Sequence, residues 1–329
     1  MAQTFQAAPD TVYPIAEAPT MYFIGVTTAQ SSIRKVFPRW AEYLGLGNPD
    51  AVRLIGIDCK LHDDPGAYRT IVAHIKRDPH SLGALVTTHK IDLLAATRDL
   101  FDELGPHAQA MNEVSSISKW NGKLMGRAVD FENSDLALQA FLPADHWRNT
   151  GAHCLLLGAG GAAIAFSMAL MDARQGENRP AKIIVANRSQ PRLDAMLALH
   201  ERLDSRVPVD YVLTQSPAES DALVAQLPEH SLVVNATGLG KDAPGSPVSD
   251  AAQFPQRGWV WDFNYRGELV FLAQARAQAE AKQLHIEDGW TYFLHGWTSV
   301  IAHVFHLDIP SSGPQFDELS RIAAESSRA

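Results

Sequence analysis

The stretch Cys154-Leu155-Leu156-Leu157-Gly158-Ala159-Gly160-Gly161-Ala162-Ala163 decides the fold of this chain. Its leading apolar residues are typical of a buried parallel strand, and the glycines that follow predict a sharp turn into a helix of small residues. Gly158 permits the turn, and Gly160 removes a side chain where a diphosphate would approach the helix N-terminus. The match to G-x-G-x-x-A, with Ala163 last, favours a dinucleotide-binding turn over a purely structural one.

The next strand indicates which dinucleotide is bound. The apolar run Ile183–Ala186 ends in Asn187-Arg188-Ser189, with Arg192 just beyond. NAD sites usually place an acid at this strand end, whereas an arginine can hold the adenosine phosphate of NADP. Glu177 has the neighbours of a loop residue. We therefore expect NADP, with NAD as the alternative; otherwise Arg188 and Arg192 are ordinary surface residues of the next helix.

Composition indicates a globular protein with a small-molecule substrate. The 329 residues can form two domains, and 28 basic against 37 acidic residues give a net charge of −9. The charge leaves no basic footprint for nucleic acid, and no apolar run of membrane-spanning length is present. The first twenty residues lack lysine, arginine and an apolar segment, so we expect neither a signal nor a transit peptide. We expect a cytoplasmic protein that could form a homodimer.

Cysteines and histidines do not predict a metal site. Cys59 and Cys154 lie in apolar runs and are predicted to be buried thiols rather than a disulfide. His303 and His306 are three residues apart, with His295 further back, but no cysteine or carboxylate cluster accompanies them. We therefore expect no metal.

Strand-like and helical segments alternate along the chain, which predicts an α/β fold with mainly parallel sheets. Before the glycine-rich turn, strands are predicted at Tyr22–Thr27, Val52–Asp58 and Ala84–Thr88, followed by a hairpin from Ser115 to Arg127 turned at Asn121-Gly122. After it, strands are predicted at Ile183–Ala186, near Val209–Leu213, at Leu232–Asn235 and at Trp259–Phe263, with helices from Trp290 onward. The predicted domains are 1–132, completed by helices in 288–329, and 133–287.

Two residues of the first half suggest chemistry. Lys90 follows an apolar strand and opens a predicted helix at Ile91–Phe101, where the helix dipole disfavours a cation. The alternative is a solvated surface lysine. Asp130 follows the hairpin and begins a predicted helix at Phe131–Phe141, where it could equally be a simple cap.

The order of these motifs resembles the shikimate/quinate dehydrogenase family from about Tyr22 to Phe305. It comprises Gly25 with a serine-containing loop, Val86-Thr87 with a following lysine, the hairpin ending in Gly-x-x-x-Asp, Gly-Ala-Gly-Gly-Ala, Asn187-Arg188-Ser189 and Asn235-Ala236-Thr237-Gly238. The resemblance implies an N-terminal α/β substrate domain completed by C-terminal helices, a Rossmann-type NADP domain, and an active site in the cleft between them.

The resemblance also implies residue roles. Lys90 and Asp130 fall on the catalytic pair, and substrate positions fall on Ser31, Thr87, Ser115 and Tyr265. Tyr292 and His295, bulky residues beside the lost glutamine, are further substrate-binding candidates. Ser31 and Tyr265 could instead be merely structural, Tyr265 as the cap of a strand end. The cofactor positions fall on Gly158, Gly160, Gly161, Ala162, Asn187, Arg188, Ser189, Arg192, Thr237, Gly238 and Leu239, with Gly238 and Leu239 near the nicotinamide. Arg34 could replace lost donors to a substrate carboxylate, or could be a surface residue.

The chain departs from the family pattern where a ring bearing hydroxyl groups would be recognised. Ile33 replaces a serine, Leu85 an asparagine and Gly296 a glutamine, while Ser115-Ser116 and Ala128-Val129 each stand for Asn-Thr. The segment before Lys90 is one residue shorter. Polar groups left unmatched on burial cost about 1–3 kcal/mol each. We therefore expect a dehydrogenase acting on a secondary alcohol or ketone of another, more apolar or aromatic-derived cyclic acid.

Three alternatives stay open at this point. The chain could be a true shikimate or quinate dehydrogenase, or a nicotinamide-binding sensor without turnover. A folate-type methylene dehydrogenase would place a tyrosine on the helix of its catalytic lysine, and the helix at Lys90 has none.

Overall fold

The structure is a computed structural model that describes residues 3–48, 50–203, 205–241 and 243–328. They form two compact units, one comprising the chain up to Val129 and again from Leu294, the other comprising Asp130–Phe293. The assignment of substrate to the first unit and cofactor to the second remains a prediction.

The first stretch of the chain alternates strands and helices: β1 (Thr4–Gln6), β2 (Thr20–Gly25), α1 (Ile33–Tyr43), β3 (Arg53–Asp58), α2 (Pro65–Arg77), β4 (Ser81–Val86), α3 (Lys90–Thr97), β5 (Glu103–Leu104), α4 (Pro106–Met111), β6 (Ser116–Trp120) and β7 (Lys123–Arg127). The second unit opens with α5 (Asp130–Gln139), α6 (His146–Thr150), β8 (His153–Leu157), α7 (Gly161–Met171), β9 (Lys182–Asn187), α8 (Gln190–His200) and β10 (Val209–Leu213). It continues with α9 (Pro217–Val224), β11 (Leu232–Asn235), β12 (Trp259–Asp262), α10 (Val270–Arg276), α11 (Ala279–Lys282) and β13 (His285–Glu287), and the chain ends with α12 (Trp290–Phe305) and α13 (Pro314–Arg328).

The sheet of the first unit is mixed. Its seven described strands run in the order β1-β3-β2-β4-β6-β7-β5. The first four are parallel, whereas β6 is antiparallel to both β4 and β7. Asn121 and Gly122 turn the β6–β7 hairpin with φ of 50° and 76°, the positive values that a two-residue type I′ turn requires. The predicted hairpin is confirmed.

The C-terminal helix α13 packs on α1 within this first unit. Trp40, fully buried in α1, donates its indole N–H to the backbone oxygen of Leu319 at 2.8 Å. Arg39 pairs with Glu325 at 3.1 Å on the exposed flank. The first unit is therefore built from two distant stretches of the chain.

The sheet of the second unit is entirely parallel. Its six described strands run in the order β10-β9-β8-β11-β12-β13, the order of a doubly wound dinucleotide-binding fold. The central strands are buried because helices cover both faces, which explains their continuous apolar runs. In this topology, ligands bind at the carboxyl ends of β8 and its neighbours, where the strand order reverses.

Candidate active site

The turn after β8 leaves room for an anion at the start of α7. Gly158 has φ of +121°, and a Cβ there would lie 2.8 Å from the backbone oxygen of Ala236, so only glycine fits. Among the described residues, a Cβ at Gly160 would have only Arg192 Nη1 within 4 Å, at 3.9 Å. Gly160 caps α7 without any side-chain hydrogen bond, and Gly161 and Ala162 form its half-buried first turn. The N-terminus of a helix with such open space in front of it is suited to a diphosphate.

Arg192 brings a positive charge to this turn from the neighbouring βα unit. It lies half-buried in the first turn of α8, with its guanidinium beside the open space at Gly160. Arg188 is exposed just after β9, and Asn187 donates its amide to the Ser189 backbone oxygen at 3.3 Å. Glu177 lies in an exposed turn well before β9, as its neighbours predicted. No acid therefore stands at the end of β9.

A buried polar network fixes the loop after β11. Asn235 accepts hydrogen bonds from the Thr237 N–H at 3.0 Å and from its hydroxyl at 2.6 Å, and donates to Asp262 at 3.1 Å. Asn264 donates to the backbone oxygens of Thr237 at 3.1 Å and Leu239 at 3.2 Å. These bonds position the segment that includes Gly238, which is exposed.

Asp262 is the charged centre of that network and was not identified from the sequence. It is fully buried, and burial raises the pKa of its carboxyl to about 6, against the lowering effect of hydrogen bonds from Asn264 and Asn235. The only sequence signal was an aspartate that ends a buried strand, opposite Asn235 in the β11–β12 register.

Lys90 begins α3 at the carboxyl edge of the first unit's parallel strands. It is half-buried, and the preceding His89 is buried with Nδ1 3.0 Å from the Tyr68 hydroxyl oxygen. Thr87, at the end of β4, donates its N–H and its hydroxyl to the Ile24 backbone oxygen, at 3.0 and 3.3 Å. Helix α3 begins one residue earlier than predicted and ends at Thr97, followed by a short 3-10 turn.

The two serines predicted for the substrate site, Ser31 and Ser115, both belong to the first unit but have different surroundings. Ser115 accepts from the Val129 N–H at 2.9 Å and faces the Arg127 backbone oxygen at 3.4 Å, so its hydroxyl already ties the base of the hairpin. Ser31 is buried just before α1. Ser116 is buried, and its hydroxyl has no hydrogen-bond partner among the described residues. Contact of Ser31 or Ser115 with a substrate stays a prediction.

Asp130 opens α5, the first helix of the second unit, and is buried. The predicted helix started at Phe131, so the difference is one residue. Its pairing with Lys90 remains a prediction.

Aromatic residues surround Tyr265 and Tyr292 in the second unit. The ring of Tyr265 lies 5.5 Å from Trp290 and 4.6 Å from Phe293, centroid to centroid. Tyr292 lies 5.0 Å from Phe263. Such clusters bury large apolar area and orient each ring. A substrate-binding role for either tyrosine stays a prediction.

His295 and Arg34, both in the first unit, have internal partners. His295 stacks on Phe316 at 4.6 Å, and burial lowers the pKa of its imidazole to about 4, so it is neutral at pH 7. Arg34 donates to the Leu54 backbone oxygen at 2.9 Å and to the Thr4 hydroxyl at 2.8 Å. These bonds tie α1 to β1 and β3, so Arg34 has a structural task, and binding of a substrate carboxylate by Arg34 stays a prediction.

Other titratable groups do not form a second site in the described part of the chain. Cys59 and Cys154 are free and buried, as predicted, and burial raises the pKa of the Cys59 thiol to about 12. No three histidine, cysteine or acidic side chains among the described residues are grouped so that they could hold a metal ion. None of the described helices combines the length and apolar character needed to cross a membrane.

The sequence is similar to that of known dehydrogenases. No protein-family model matches the chain. A shikimate dehydrogenase (NADP(+)) of Streptococcus thermophilus is 31% identical over 54% of this chain, and the match spans 58% of that protein, less than two thirds of its length. A shikimate dehydrogenase (NADP(+)) of Methylocella silvestris is 27% identical over 88% of this chain and 91% of its own length.

Solved structures show the same fold. Shikimate dehydrogenase 1 from Peptoclostridium difficile superposes with a TM-score of 0.69 at 16% identity, covering 94% of this chain and 99% of its own. Shikimate 5-dehydrogenase from Thermus thermophilus, in complex with NADP(H) and shikimate, gives 0.65 at 23% identity over 93% and 99%. A 5-ketofructose reductase of Gluconobacter gives 0.62 at 18% identity over 94% and 99%.

The fold is thus the two-domain α/β fold of these dehydrogenases, with a Rossmann-type second unit. The predicted resemblance to the shikimate dehydrogenases is confirmed: two such enzymes match this chain at 31% and 27% identity, and solved shikimate dehydrogenases share its fold.

Proposed function

We propose that this protein is an NADP-dependent dehydrogenase or reductase that interconverts a secondary alcohol and a ketone on a cyclic acid. The observation that carries the proposal is the open space at Gly160 with the Arg192 guanidinium beside it, in a chain similar to NADP-dependent shikimate dehydrogenases. The first unit would bind the acid, and the second unit would bind the cofactor.

Several groups of the second unit fit NADP. The turn from Gly158 to Ala162 would hold the diphosphate at the N-terminus of α7, and Arg192 with Arg188 would hold the adenosine phosphate. The Thr237–Leu239 loop, fixed by Asn235 and Asn264, would lie along the nicotinamide. When bound, NADP would supply the hydride acceptor for the alcohol carbon and, in its reduced form, the hydride donor for the ketone.

Lys90 would move the proton that accompanies this hydride. As a neutral amine it accepts the hydroxyl proton of the alcohol, and as an ammonium it donates to the oxygen of the ketone. Asp130 would orient the amine and stabilise its protonated form. The pair is carried over from the family resemblance.

The replaced recognition residues support a substrate less polar than shikimate. Leu85, Ala128 and Val129 are all buried apolar residues where the family has amide or hydroxyl side chains. Apart from its chain neighbours and the backbone of its own helix, a Cβ at Gly296 in α12 would have no described atom within 4 Å, so space is left where the family has a glutamine. An aromatic-derived or hydroaromatic acid with fewer hydroxyl groups suits such a site better than a polyol.

The test is the initial rate of nicotinamide reduction with shikimate, quinate and less hydroxylated cyclic hydroxy acids, each with NADP and NAD, beside a binding titration with NADPH. NADP-linked oxidation of the less hydroxylated acids supports the proposal. Efficient turnover of shikimate or quinate alone would support the first alternative. Tight NADPH binding without any turnover would support a sensor, and absence of binding would refute the proposal.

A further inference from the structure

Glu113 is a buried carboxylate to which the family resemblance assigned no role. It lies between α4 and β6, its side chain is fully shielded from solvent, and neither carboxylate oxygen has a hydrogen-bond partner among the described residues. Burial raises the pKa of this carboxyl to about 7. Burying an unpaired carboxylate costs free energy, so a fold gains nothing from this residue by itself.

The positive charge of Lys90 acts on this carboxylate. After burial, the Coulomb effect of Lys90 is the one further influence on the pKa of Glu113, and it lowers that pKa. The backbone supports the proximity, because the Val114 N–H donates to the Lys90 backbone oxygen at 3.2 Å. The residue after Glu113 is thus fastened to the residue that begins α3.

Other charged groups near the start of α3 are accounted for by different partners. Asp92, in the first turn of α3, lies 2.8 Å from His62 Nδ1 of the loop after β3. Burial lowers the pKa of His89, and the charges of Asp92 and of Asp63, in the same loop as His62, partly oppose that effect. At the end of α4, Asn112 is bound by Arg98. Glu113 is thus a buried carboxylate of this unit that interacts electrostatically with Lys90 and has no hydrogen-bond partner among the described residues.

We propose that Glu113 is a positioning residue that holds the proton on Lys90 and so favours ketone reduction over alcohol oxidation at neutral pH; this inference rests on the proposed function of Lys90. An anionic neighbour favours the charged form of an amine, and the effect is large when both groups are shielded from water. Because the Glu113 carboxyl loses its proton near neutral pH, it stabilises the Lys90 ammonium more strongly as the pH rises.

The test compares Glu113→Gln with wild type, using Glu103→Gln as the matched control. Glu103 is an exposed glutamate of the same unit that pairs with Lys123. In Glu113→Gln, the pH at which reduction by NADPH falls to half its maximum should move downward by about one unit. Glu103→Gln should leave that pH unchanged, and Glu113→Asp should restore part of the wild-type value. Should Glu113→Gln fail to fold, Glu113→Ala removes the same charge.

A second readout does not require turnover. The rate at which acetic anhydride labels Lys90, followed by mass spectrometry across pH, reports the amine's protonation directly. Its midpoint should move downward in Glu113→Gln by the same amount. If wild type turns over no cyclic acid, the proposed function fails while this titration still tests the coupling. An unchanged midpoint in a folded variant, or an equal shift in Glu103→Gln, overturns the inference.

Discussion

Lys90 stands where two local effects oppose each other. The N-terminus of a helix disfavours a cation by about 0.3–1 kcal/mol, whereas the buried Glu113 carboxylate favours one. A lysine with only a structural task would sit better in water or at the other end of α3. The same opposition is what a proton donor and acceptor needs, because its amine must exist in both forms near neutral pH.

Replacing this amine should remove most of the turnover. We expect Lys90→Ala to lower kcat by about 10²–10⁴-fold, since general acid–base catalysis contributes on that scale. NADPH affinity should stay near the wild-type value because the residues proposed to bind the cofactor lie in the other unit. Steady-state kinetics and a fluorescence titration check both. Lys60→Ala, at an exposed position, is the control, and an unchanged kcat in Lys90→Ala would remove this residue from the mechanism.

Arg192 should determine the choice between NADPH and NADH. A charge-assisted hydrogen bond to phosphate contributes about 1.5–3 kcal/mol, so Arg192→Ala should weaken NADPH binding by about 10–100-fold. NADH lacks the adenosine phosphate and should lose much less. Isothermal titration with both cofactors checks this, with the exposed Arg206→Ala as control. Equal losses for NADPH and NADH would place Arg192 at the diphosphate instead.

At the scale of elements, the turn between β8 and α7 separates two requirements for glycine. At Gly158 the backbone itself forbids a side chain, because φ is +121° and the Ala236 oxygen is close. At Gly160 the backbone is ordinary, and apart from its chain neighbours no described atom would lie closer than 3.9 Å to a Cβ. The first glycine therefore serves the fold, and the second leaves space for a ligand.

This difference predicts opposite outcomes for two similar substitutions. Gly158→Ala should lower the free energy of unfolding by about 1–3 kcal/mol through backbone strain, whether or not cofactor is present. Gly160→Ala should unfold like wild type but bind NADPH at least about tenfold more weakly, since its methyl group would occupy the diphosphate space. Denaturant unfolding and a binding titration distinguish them. Loss of stability in Gly160→Ala would contradict this assignment.

Strands with an apolar signal were predictable, and those without one were not. The predictions at Val209–Leu213 and Leu232–Asn235 agree with β10 and β11 residue for residue. The strands β1 and β13 were missed because each has three residues and little apolar content, so pairing with a neighbour decides them. For the same reason the Arg34 anchor of β1 could not be foreseen.

The site was predictable only as far as motifs extend along the sequence. The glycine turn can be identified from ten consecutive residues of the sequence. Glu113 and Asp262 could not be identified in this way, because their properties depend on burial and on partners that are distant in the chain. From the sequence alone, an acidic residue is expected to be exposed to solvent. Only the structure shows that water is excluded from these two carboxylates.

For the whole molecule, buried titratable groups predict how stability depends on pH. The folded-state pKa values of Glu113 and Asp262 are raised to about 7 and about 6, so their favourable contribution is present in acid and is lost as pH rises through those values. Burial lowers the folded-state pKa values of His200, His295 and His303 to about 4. Their favourable contribution to stability is therefore fully present above the ordinary histidine pKa of about 6.5 and is lost as the pH falls towards 4.

Thermal unfolding should therefore show its highest Tm between about pH 5 and 7. Glu113→Gln carries no charge to bury, so its Tm relative to that of wild type should rise between pH 5 and pH 8. Differential scanning fluorimetry across this range checks the prediction with wild type and Glu103→Gln in parallel. A parallel decline in all three proteins would show that Glu113 is not the group responsible.

The division of the chain into a continuous unit and an interrupted one has a consequence for its synthesis. Asp130–Phe293 is one unbroken segment, so it can fold as soon as it leaves the ribosome. The unit that precedes it in the sequence must wait for α13, whose Leu319 accepts the indole N–H of Trp40. At about 5–20 residues per second, that wait lasts on the order of ten to forty seconds. The half of the protein made first is thus the half completed last, and until then the apolar surface of α1 is a target for chaperones.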